Sequence, residues 1–385
     1  MNRDPVSVLV VNHVSTFGGA ERGMLDIVAA LHDSPYRPVA ALPGEGPLAQ
    51  RLRARAVPVF HVPMLRFRQP LHPFRPIGYA LHWAWTVPKL VDLLRAQQIG
   101  LLHANSANAH VYGGSAAKRA GIPAIWHCRD RPAPGLAGRW MGKHATRIAA
   151  VSQAIADRLT APGSHANVRV LHNAVDTSEF QVRNRRTAMR RTLGIGPDAL
   201  VIGMVAHFTP WKRHDWFLQA MAQVAQACAE ARFLVVGADL FGLETRYEVR
   251  LQRLARECGL ARRILFAGAR SDMAAVYESI DLLAHPPPDE PFGRAVAEAM
   301  AMGRPVVATR CGGPGEIVED NVSGLLVEPG PTALAEGVLR LIRDPALRQR
   351  LAEAAPARIR TRFSLDVYRA RLLALYRECL ESDAP

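Results

Sequence analysis

Short apolar runs alternate with helical patterns along both halves of the chain, and this alternation limits the possible fold more than any other feature. Val6–Val11 is typical, because it is uniformly apolar and leads through Gly18-Gly19 into an apolar-periodic helix that ends near Leu31. Further strands are predicted at 39–42, 57–62, 100–104, 124–127, 147–151, 168–171, 200–205, 232–236, 264–267, 282–284 and 324–327. Uniformly apolar strands joined by helices are typical of parallel sheets covered on both faces. The sequence therefore predicts an α/β protein with doubly wound sheets.

The alternation breaks at one Arg-rich segment, residues 181–191. A chain of 385 residues is long enough for two domains with separate cores. We place the interdomain linker in this segment, so that residues 1–180 form an N-terminal domain and residues 181–364 a C-terminal domain. A final amphipathic helix, rich in Leu and Arg, is predicted within residues 365–385.

Composition and charge narrow the classes of partner. Hydrophobic residues make up 49% and charged residues 21% of the chain, as in ordinary globular proteins. The five cysteines include no Cys-x-x-Cys pair and the first residues show no signal peptide, so we expect a cytoplasmic protein with free thiols. Residues 1–180 carry 20 Lys and Arg against 10 Asp and Glu, whereas residues 181–385 carry 28 against 24. The basic first half suits an anionic partner, but no nucleic-acid-binding module is recognisable, and no apolar window is long enough to span a bilayer.

Two glutamates in residues 289–316 indicate a ligand site. Glu290 lies in a loop that contains Pro and Gly, and the helix formers that start at Arg294 place Glu298 about one turn inside a helix. A helix N-terminus offers free N–H groups and a partial positive charge to a phosphate. Carboxylates on either side of a phosphate site suit the hydroxyls of a ribose and of the sugar in a nucleotide sugar. The residues alone also allow a structural junction in which Glu290 caps the helix and Glu298 is solvated.

The pattern Glu-x7-Glu, with Phe292-Gly293 after the first Glu and a Gly-Gly-x-x-Glu turn at 312–316, resembles the donor-site signature of family 4 retaining glycosyltransferases. The resemblance implies the GT-B fold, in which two Rossmann-like domains face each other across a cleft. It implies transfer of a sugar from a nucleotide diphosphate sugar to a glycan or lipid-linked acceptor, with retained anomeric configuration. In that family, the residues that match Glu290 and Glu298 contact the donor sugar and the ribose.

Further matches extend the resemblance over nearly the whole chain. Gly18-Gly19 matches a loop that contacts phosphate, and His127 matches a His beside the donor sugar, although both also fit purely structural roles. Lys212 matches a Lys that holds the diphosphate together with an Arg, but His207 occupies the Arg position here. His lacks the bidentate fork of Arg, although its ring can donate one hydrogen bond. The resemblance also implies that the last helix crosses back onto the N-terminal domain.

The sequence predicts chemistry without a metal ion. It contains no Asp-x-Asp motif and no cluster of metal-ligating side chains, and we expect no cofactor other than the nucleotide sugar donor. The leaving diphosphate would be stabilised by Lys212, the Gly18-Gly19 amides, the N-terminus of the helix that starts at Arg294, and the side chains of His207 and Arg294. Two alternatives stay open: a nucleotide-sugar epimerase or hydrolase on the same fold, and a non-catalytic nucleotide-sugar-binding protein.

One segment suggests a membrane surface as a further partner. Between residues 66 and 89 the sequence interleaves cations with aromatic residues and contains no acidic residue. These cations and aromatics are Arg66, Phe67, Arg68, Phe74, Arg75, Tyr79, Trp83, Trp85 and Lys89. Such a combination favours the surface of an anionic bilayer, which would place the protein peripherally at the inner membrane face. The alternative is that Trp83 and Trp85 are packed in the core and the cations are solvated.

Overall fold

The computed structural model describes residues 5–66, 75–132, 136–160, 167–239, 242 and 246–382. The chain divides into two compact units. One unit is Met1–Ala174 together with Leu365–Pro385, and the other is Val175–Ser364.

The first unit is built on a parallel sheet. Its strands are β1 (Val6–Val11), β2 (Tyr36–Leu42), β3 (Val59–His61), β4 (Ile99–Ala104), β5 (Ala124–Cys128), β6 (Arg147–Ala150) and β7 (Val168–Val170). Its helices are α1 (Gly19–Leu31), α2 (Pro47–Arg53), α3 (Arg75–Ala96), α4 (Ala107–Ala120), α5 (Leu136–Lys143), α6 (Gln153–Thr160) and α15 (Leu365–Ser382). The strand order is β3-β2-β1-β4-β5-β6-β7, so the sheet grows in one direction from β1 and then in the other from β4.

The second unit repeats this plan with six strands. The strands are β8 (Leu200–Val205), β9 (Ala231–Val236), β10 (Ile264–Phe266), β11 (Leu282–His285), β12 (Val306–Thr309) and β13 (Leu325–Val327). The helices are α7 (Arg186–Thr192), α8 (His214–Ala227), α9 (Tyr247–Glu257), α10 (Met273–Ser279), α11 (Arg294–Ala301), α12 (Gly312–Ile317), α13 (Pro331–Arg343) and α14 (Pro345–Arg362). The parallel order β10-β9-β8-β11-β12-β13 places the switch in direction between β8 and β11. In open α/β sheets, ligands bind at the carboxyl ends of the strands beside such a switch.

Sequence and structure differ at two places near this edge. Each predicted strand overlaps an observed one, but the prediction omitted β12, a run of only four residues between α11 and α12. The Gly-rich segment at 312–316, predicted as a turn, forms the short helix α12 instead. Its first two glycines are needed for close backbone contact rather than for a turn, as the site geometry below shows.

The Arg-rich segment 181–191 is a folded part of the second unit, and the prediction of a linker there is wrong. Its arginines pair with acidic side chains at the end of α10. Arg190 is 1% exposed and its guanidinium lies 2.8 Å from Asp281 Oδ2, while the Arg183 backbone N–H donates to Glu278 Oε1 at 2.9 Å. The boundary between the units follows Ala174, and Arg185, Arg186 and Arg190 form ion pairs with Glu278 and Asp281 instead of lying in a solvated linker.

The last helix completes the core of the first unit. α15 packs against α1 and buries a series of side chains in the cluster that also contains the β1 and β2 interior. These side chains are Tyr368, Leu372, Leu375, Tyr376 and Cys379. The first unit is therefore discontinuous in sequence. Within the described ranges, no helix is both long enough and apolar enough to cross a bilayer.

Candidate active site

Lys212 and Glu290 meet at the switch point of the second sheet. Lys212 ends a short 3₁₀ turn, Pro210–Lys212, in the segment that follows β8, and Glu290 lies in the loop after β11. The Lys212 Nζ atom lies 2.5 Å from Glu290 Oε2, and the two side chains are only 11% and 7% exposed. His285, the last residue of β11, places its Nε2 3.2 Å from the same carboxylate oxygen. Residues far apart in sequence converge here because β8 and β11 are adjacent strands.

This cluster keeps a buried carboxylate ionised. Burial by itself would raise the pKa of Glu290, but the charge of Lys212 and the hydrogen bond to His285 outweigh burial and hold that pKa at about 2. Burial lowers the pKa of His285, and Glu290 opposes this effect. Sequence reasoning assigned His285 no role in the site. Its position at the carboxyl end of a strand is the signal that points to it.

Glu298 lies on α11, one turn from the start of the helix, as predicted. The Tyr277 hydroxyl of α10 donates a hydrogen bond to Glu298 Oε2 at 3.0 Å, and Arg294 Nε lies 3.5 Å from Oε1. The Glu298 side chain is only 9% exposed, so the alternative interpretation of a solvated carboxylate is wrong. A carboxylate has about four acceptor sites, so Glu298 is chemically suited to accept hydrogen bonds from hydroxyl groups. Tyr277 is a partner of Glu298 that sequence reasoning missed.

The loop that carries Glu290 rests on the glycine pair at the start of α12. A Cβ atom at Gly312 would overlap the Glu290 carbonyl, and one at Gly313 would overlap the Phe292 backbone. The Gly313 N–H donates to the Glu290 carbonyl at 2.9 Å. Gly293 has a φ of +94°, in the left-handed region, and directly precedes the first turn of α11. The backbone of these glycines thus places Glu290 beside a helix N-terminus.

His207 stands close to Lys212 in sequence and shares an aromatic neighbour with it. The His207 ring lies 5.9 Å from the Trp211 ring in an edge-to-face arrangement, and Lys212 Nζ lies 4.0 Å from the Trp211 ring centroid. His207 follows β8 and is partly exposed, so it lies at the same edge of the sheet as Lys212.

The other predicted site residues lie in the first unit, at the carboxyl edge of its own sheet. Gly18 caps α1 and Gly19 begins it, after the loop that leaves β1. His127 lies in β5, is fully buried, and has its Nδ1 3.1 Å from His103 Nε2. In the part of the chain that the structure describes, His127 Nε2 makes no hydrogen bond of normal geometry, and the Leu171 backbone near the ring favours protonation. Burial, reinforced by the charge of Arg129, keeps the pKa of His127 well below its ordinary value, so the ring is neutral.

A buried polar network, which sequence reasoning missed, joins the ends of β1, β4 and β5. Asn12 Nδ2 donates to Glu21 Oε1 at 3.2 Å, and Asn105 Nδ2 donates to Asn12 Oδ1 at 3.1 Å. Arg129 Nε donates to Asn105 Oδ1 at 2.9 Å. Burial raises the pKa of Glu21. The available signal is that polar residues directly follow apolar strands at the switch point of this sheet.

Two family models match the two halves of the chain. The model described as Glycosyltransferase Family 4 matches residues 17–179, and the model described as Glycosyl transferases group 1 matches residues 185–358. A D-inositol 3-phosphate glycosyltransferase from Actinosynnema mirum is 36% identical over 60% of this chain and 57% of its own length. A second one, from Corynebacterium urealyticum, is 34% identical over 55% of this chain and 51% of its own length. The match thus spans little more than half the length of these curated relatives.

Solved structures resemble nearly the whole chain. The Anabaena protein HepE in complex with UDP-glucose has a TM-score of 0.84 and 27% identity, over 97% of this chain and 99% of that one. Sucrose-phosphate synthase from Thermosynechococcus elongatus, at 19% identity, shares the fold with a TM-score of 0.78, over 98% of this chain and 100% of that one. The sequence-based predictions of family and fold class are both confirmed. The chain belongs to glycosyltransferase family 4 and has the two Rossmann-like α/β domains of the GT-B fold.

Proposed function

We propose that this protein transfers a sugar from a nucleotide diphosphate sugar to a hydroxyl of an acceptor. The observation that carries the proposal is the buried Lys212–Glu290–His285 cluster, with Glu298 one turn inside the adjacent helix. Family membership supports glycosyl transfer, and the UDP-glucose bound by HepE makes that nucleotide sugar the first donor to test.

The proposed roles of the site residues in the second unit combine their charge with what the family resemblance implies. Lys212 and the N-terminus of α11 stabilise the negative charge of the leaving diphosphate. Glu290 accepts hydrogen bonds from donor-sugar hydroxyls, and Glu298 accepts them from the ribose diol. Because Lys212 is already buried and paired, it is preorganised for the diphosphate before the donor arrives. His207 replaces the second cation with a single hydrogen-bond donor.

Gly18, Gly19 and His127 of the first unit take the roles that the family resemblance implies. In the proposal, the Gly18-Gly19 amides contact phosphate and the His127 Nε2 edge contacts the donor sugar. The bond between the anomeric carbon and the diphosphate oxygen breaks, and a bond to the acceptor oxygen forms on the same face, so the configuration is retained. The acceptor proton leaves with the diphosphate. The acceptor is a glycan or a lipid-linked molecule.

Donor titration of a Glu298→Ala variant tests the ribose assignment. Loss of a charged hydrogen-bond acceptor costs about 1.5–3 kcal/mol, so calorimetry with UDP-glucose should show a Kd raised roughly 10- to 100-fold. Tyr277→Phe is the matched control, because it removes a protein partner of Glu298 and leaves the carboxylate for the ligand. An unchanged Kd for Glu298→Ala, with a folded protein, would remove Glu298 from the donor site.

Incubation with donor alone separates transfer from the alternatives. A transferase leaves UDP-glucose largely intact until an acceptor is added. An epimerase or hydrolase converts the donor without an acceptor, and a non-catalytic binding protein raises its melting temperature with the donor but never releases UDP.

We further propose that the reaction needs no metal ion, because Lys212 and the α11 N-terminus already provide positive charge at the diphosphate. Within the described ranges, no three His, Cys, Asp or Glu side chains are grouped to hold a metal. Activity should therefore persist in EDTA. Loss of activity on chelation that Mg²⁺ or Mn²⁺ restores would contradict this proposal.

A face of α3 supports the proposed peripheral attachment to a membrane. Ile77, Leu81 and Trp85 are 59%, 68% and 51% exposed, and their spacing of four residues places them on one face of the helix. Lys89 continues this face, with its Nζ 3.1 Å from the Trp85 ring centroid. Trp83, in contrast, is partly buried against the core and its Nε1 donates to the Val111 carbonyl at 3.1 Å. The alternative that both tryptophans are packed in the core is therefore correct for Trp83 and wrong for Trp85.

An apolar face flanked by cations fits the surface of an anionic bilayer, where each Lys or Arg contributes about 1 kcal/mol. Phe67, Arg68 and Phe74 lie outside the described residues, as does the Arg75 side chain, so the experiment is based on Leu81 and Trp85.

Co-sedimentation with vesicles that contain phosphatidylserine should show binding that falls with salt and weakens in Leu81→Ser/Trp85→Ser. Val249→Ser is the matched control, because Val249 is 64% exposed in the second unit. Equal binding of neutral and anionic vesicles, or an unaffected double variant, would contradict the attachment.

A further inference from the structure

Three fully buried side chains from separate elements form a hydrogen-bonded chain in the first unit. The Tyr376 hydroxyl of α15 lies 2.8 Å from His103 Nδ1 in β4. His103 Nε2 lies 3.1 Å from His127 Nδ1 in β5. All three side chains are 0% exposed, so water does not compete for these contacts. The chain ends at His127 Nε2, a buried nitrogen that makes no hydrogen bond of normal geometry among the described residues.

The partners of the tyrosine decide where the protons lie. Among the described residues, the Tyr376 hydroxyl has His103 Nδ1 as its one hydrogen-bond partner. A buried hydroxyl that fails to donate is costly, so Tyr376 donates and His103 Nδ1 accepts. Burial raises the pKa of Tyr376 well above its ordinary value, which keeps the hydroxyl protonated. Burial lowers the pKa of His103 to about 3, so this neutral ring carries its one proton on Nε2 and donates it to His127 Nδ1.

We infer that Tyr376 and His103 are positioning residues that hold His127 in one orientation with its proton on Nε2. His127 accepts at Nδ1, so its own proton is directed to Nε2, the ring nitrogen that His103 does not contact. Under the proposed function, on which this inference rests, that N–H donates a hydrogen bond to the donor sugar. The ring that touches the sugar is His127, and Tyr376 and His103 act through it.

The last helix thereby has a role beyond packing. Tyr376 lies 249 positions after His127 in sequence. It comes close to His127 only because its helix, α15, belongs to the first unit. A purely structural role for Tyr376 would require its ring, which meets the Tyr36 ring edge-to-face at 5.2 Å, but not its hydroxyl. Removal of the hydroxyl alone therefore separates the two roles.

Tyr376→Phe in the full-length protein is the test, and Tyr368→Phe is the control, because Tyr368 is another buried tyrosine of α15 about two turns away. With UDP-glucose and an acceptor, Tyr376→Phe should lower kcat roughly tenfold, which is about 1.4 kcal/mol in activation free energy, and leave the donor KM nearly unchanged. Tyr368→Phe should leave kcat unchanged. His103→Gln interrupts the series of hydrogen bonds at its centre and should lower kcat at least as much. This variant replaces Tyr376→Phe in the test if Tyr376→Phe folds poorly.

Nitrogen-15 NMR of histidine-labelled protein reads the tautomer directly, with the His127 signals identified by their absence in His127→Gln. In the wild-type protein His127 Nε2 should be protonated, and in Tyr376→Phe the proton should divide between the two ring nitrogens. A wild-type His127 protonated at Nδ1, or a Tyr376→Phe variant with unchanged tautomer and kcat, would overturn the inference. The NMR measurement needs no turnover. If the protein has no transferase activity, the proposed function is refuted, and the tautomer of His127 still tests whether Tyr376 and His103 position its ring.

Discussion

Glu290 shows how the surroundings of one residue decide its chemistry. As a lone buried carboxylate it would take up a proton, yet Lys212 and His285 hold its pKa at about 2. The native pKa is depressed, so this group stabilises the fold above the ordinary Glu pKa near 4.5, and the contribution is lost as the pH falls through 4.5 towards 2. The same pairing places a hydrogen-bond acceptor, Glu290, and a cation, Lys212, next to each other in the proposed donor site.

Replacement of Glu290 by Gln should destabilise the second unit, because it leaves the Lys212 charge buried without its partner. Removal of one member of a buried ion pair costs about 3–5 kcal/mol. Urea denaturation should show that loss, and the double variant Glu290→Gln/Lys212→Met should recover most of it while transfer stays abolished. A double variant no more stable than the single one would mean that the charge on Lys212 does not cause the loss.

At the scale of elements, the loop after β11 and the helix α12 support each other through backbone contact. Gly312 and Gly313 lie so close to the Glu290–Phe292 backbone that neither position has room for a Cβ atom. This contact lies just before the N-terminus of α11, where the proposed diphosphate would bind. The shape of the site therefore depends on two glycines that have no chemistry of their own.

Gly313→Ala should cost roughly 1–3 kcal/mol of stability, because an added methyl group in a filled space forces the backbone apart. It should also weaken donor binding by moving Glu290. Gly315→Ala is the matched control in the same helix, since a Cβ there meets no atom within 4 Å and the residue should be neutral or slightly stabilising. Melting temperatures and donor titrations of the two variants test this prediction. Equal losses of stability and of donor affinity in both variants would contradict the argument from close backbone contact.

The buried histidines make the stability of the whole molecule depend on pH. Burial lowers the pKa of His103 and His214 to about 3 and that of His110 to about 4. Below the ordinary His pKa of 6.5 the unfolded chain takes up protons that the native protein excludes, so stability falls as the pH decreases from 6.5.

Each such His contributes up to about 1.4 kcal/mol per pH unit in that range. Urea denaturation at pH 7.5 and 5.5 should show the loss, and His214→Phe, which keeps an aromatic ring that cannot titrate, should reduce it for the second unit. A His214→Phe variant with the wild-type pH dependence would show that this ring is protonated in the native protein.

A second prediction at the scale of the whole molecule concerns the discontinuous first unit. Residues 175–364 form a unit with its own sheet and core, so this fragment should fold alone with a cooperative thermal transition. Residues 1–174 lack α15 and would expose the core side chains that it covers, each worth about 1.5–3 kcal/mol when buried. The fragment of residues 1–174 should fold only when residues 365–382 are appended to it. Circular dichroism melts of the three fragments test this, and a cooperative transition for residues 1–174 alone would contradict it.

Local patterns in the sequence were sufficient for the strand–helix alternation, the helix that carries Glu298 and the family resemblance. Apolar periodicity, helix propensity and a fixed spacing of glutamates act over a few residues, so they can be predicted without tertiary contacts. The Arg-rich segment 181–191 was misjudged because the partners of its arginines, Glu278 and Asp281, lie about 90 residues further along the chain.

Contacts between distant residues were decided only by the tertiary structure. His285 joins Glu290 and Lys212 because β8 and β11 are neighbours in the sheet, and Tyr277 reaches Glu298 because α10 lies beside α11. His127 is linked to Tyr376 because α15 returns to the first unit. Sequence spacing carries no record of such pairings, since strand order and helix docking are set by burial of the whole apolar surface rather than by any local signal.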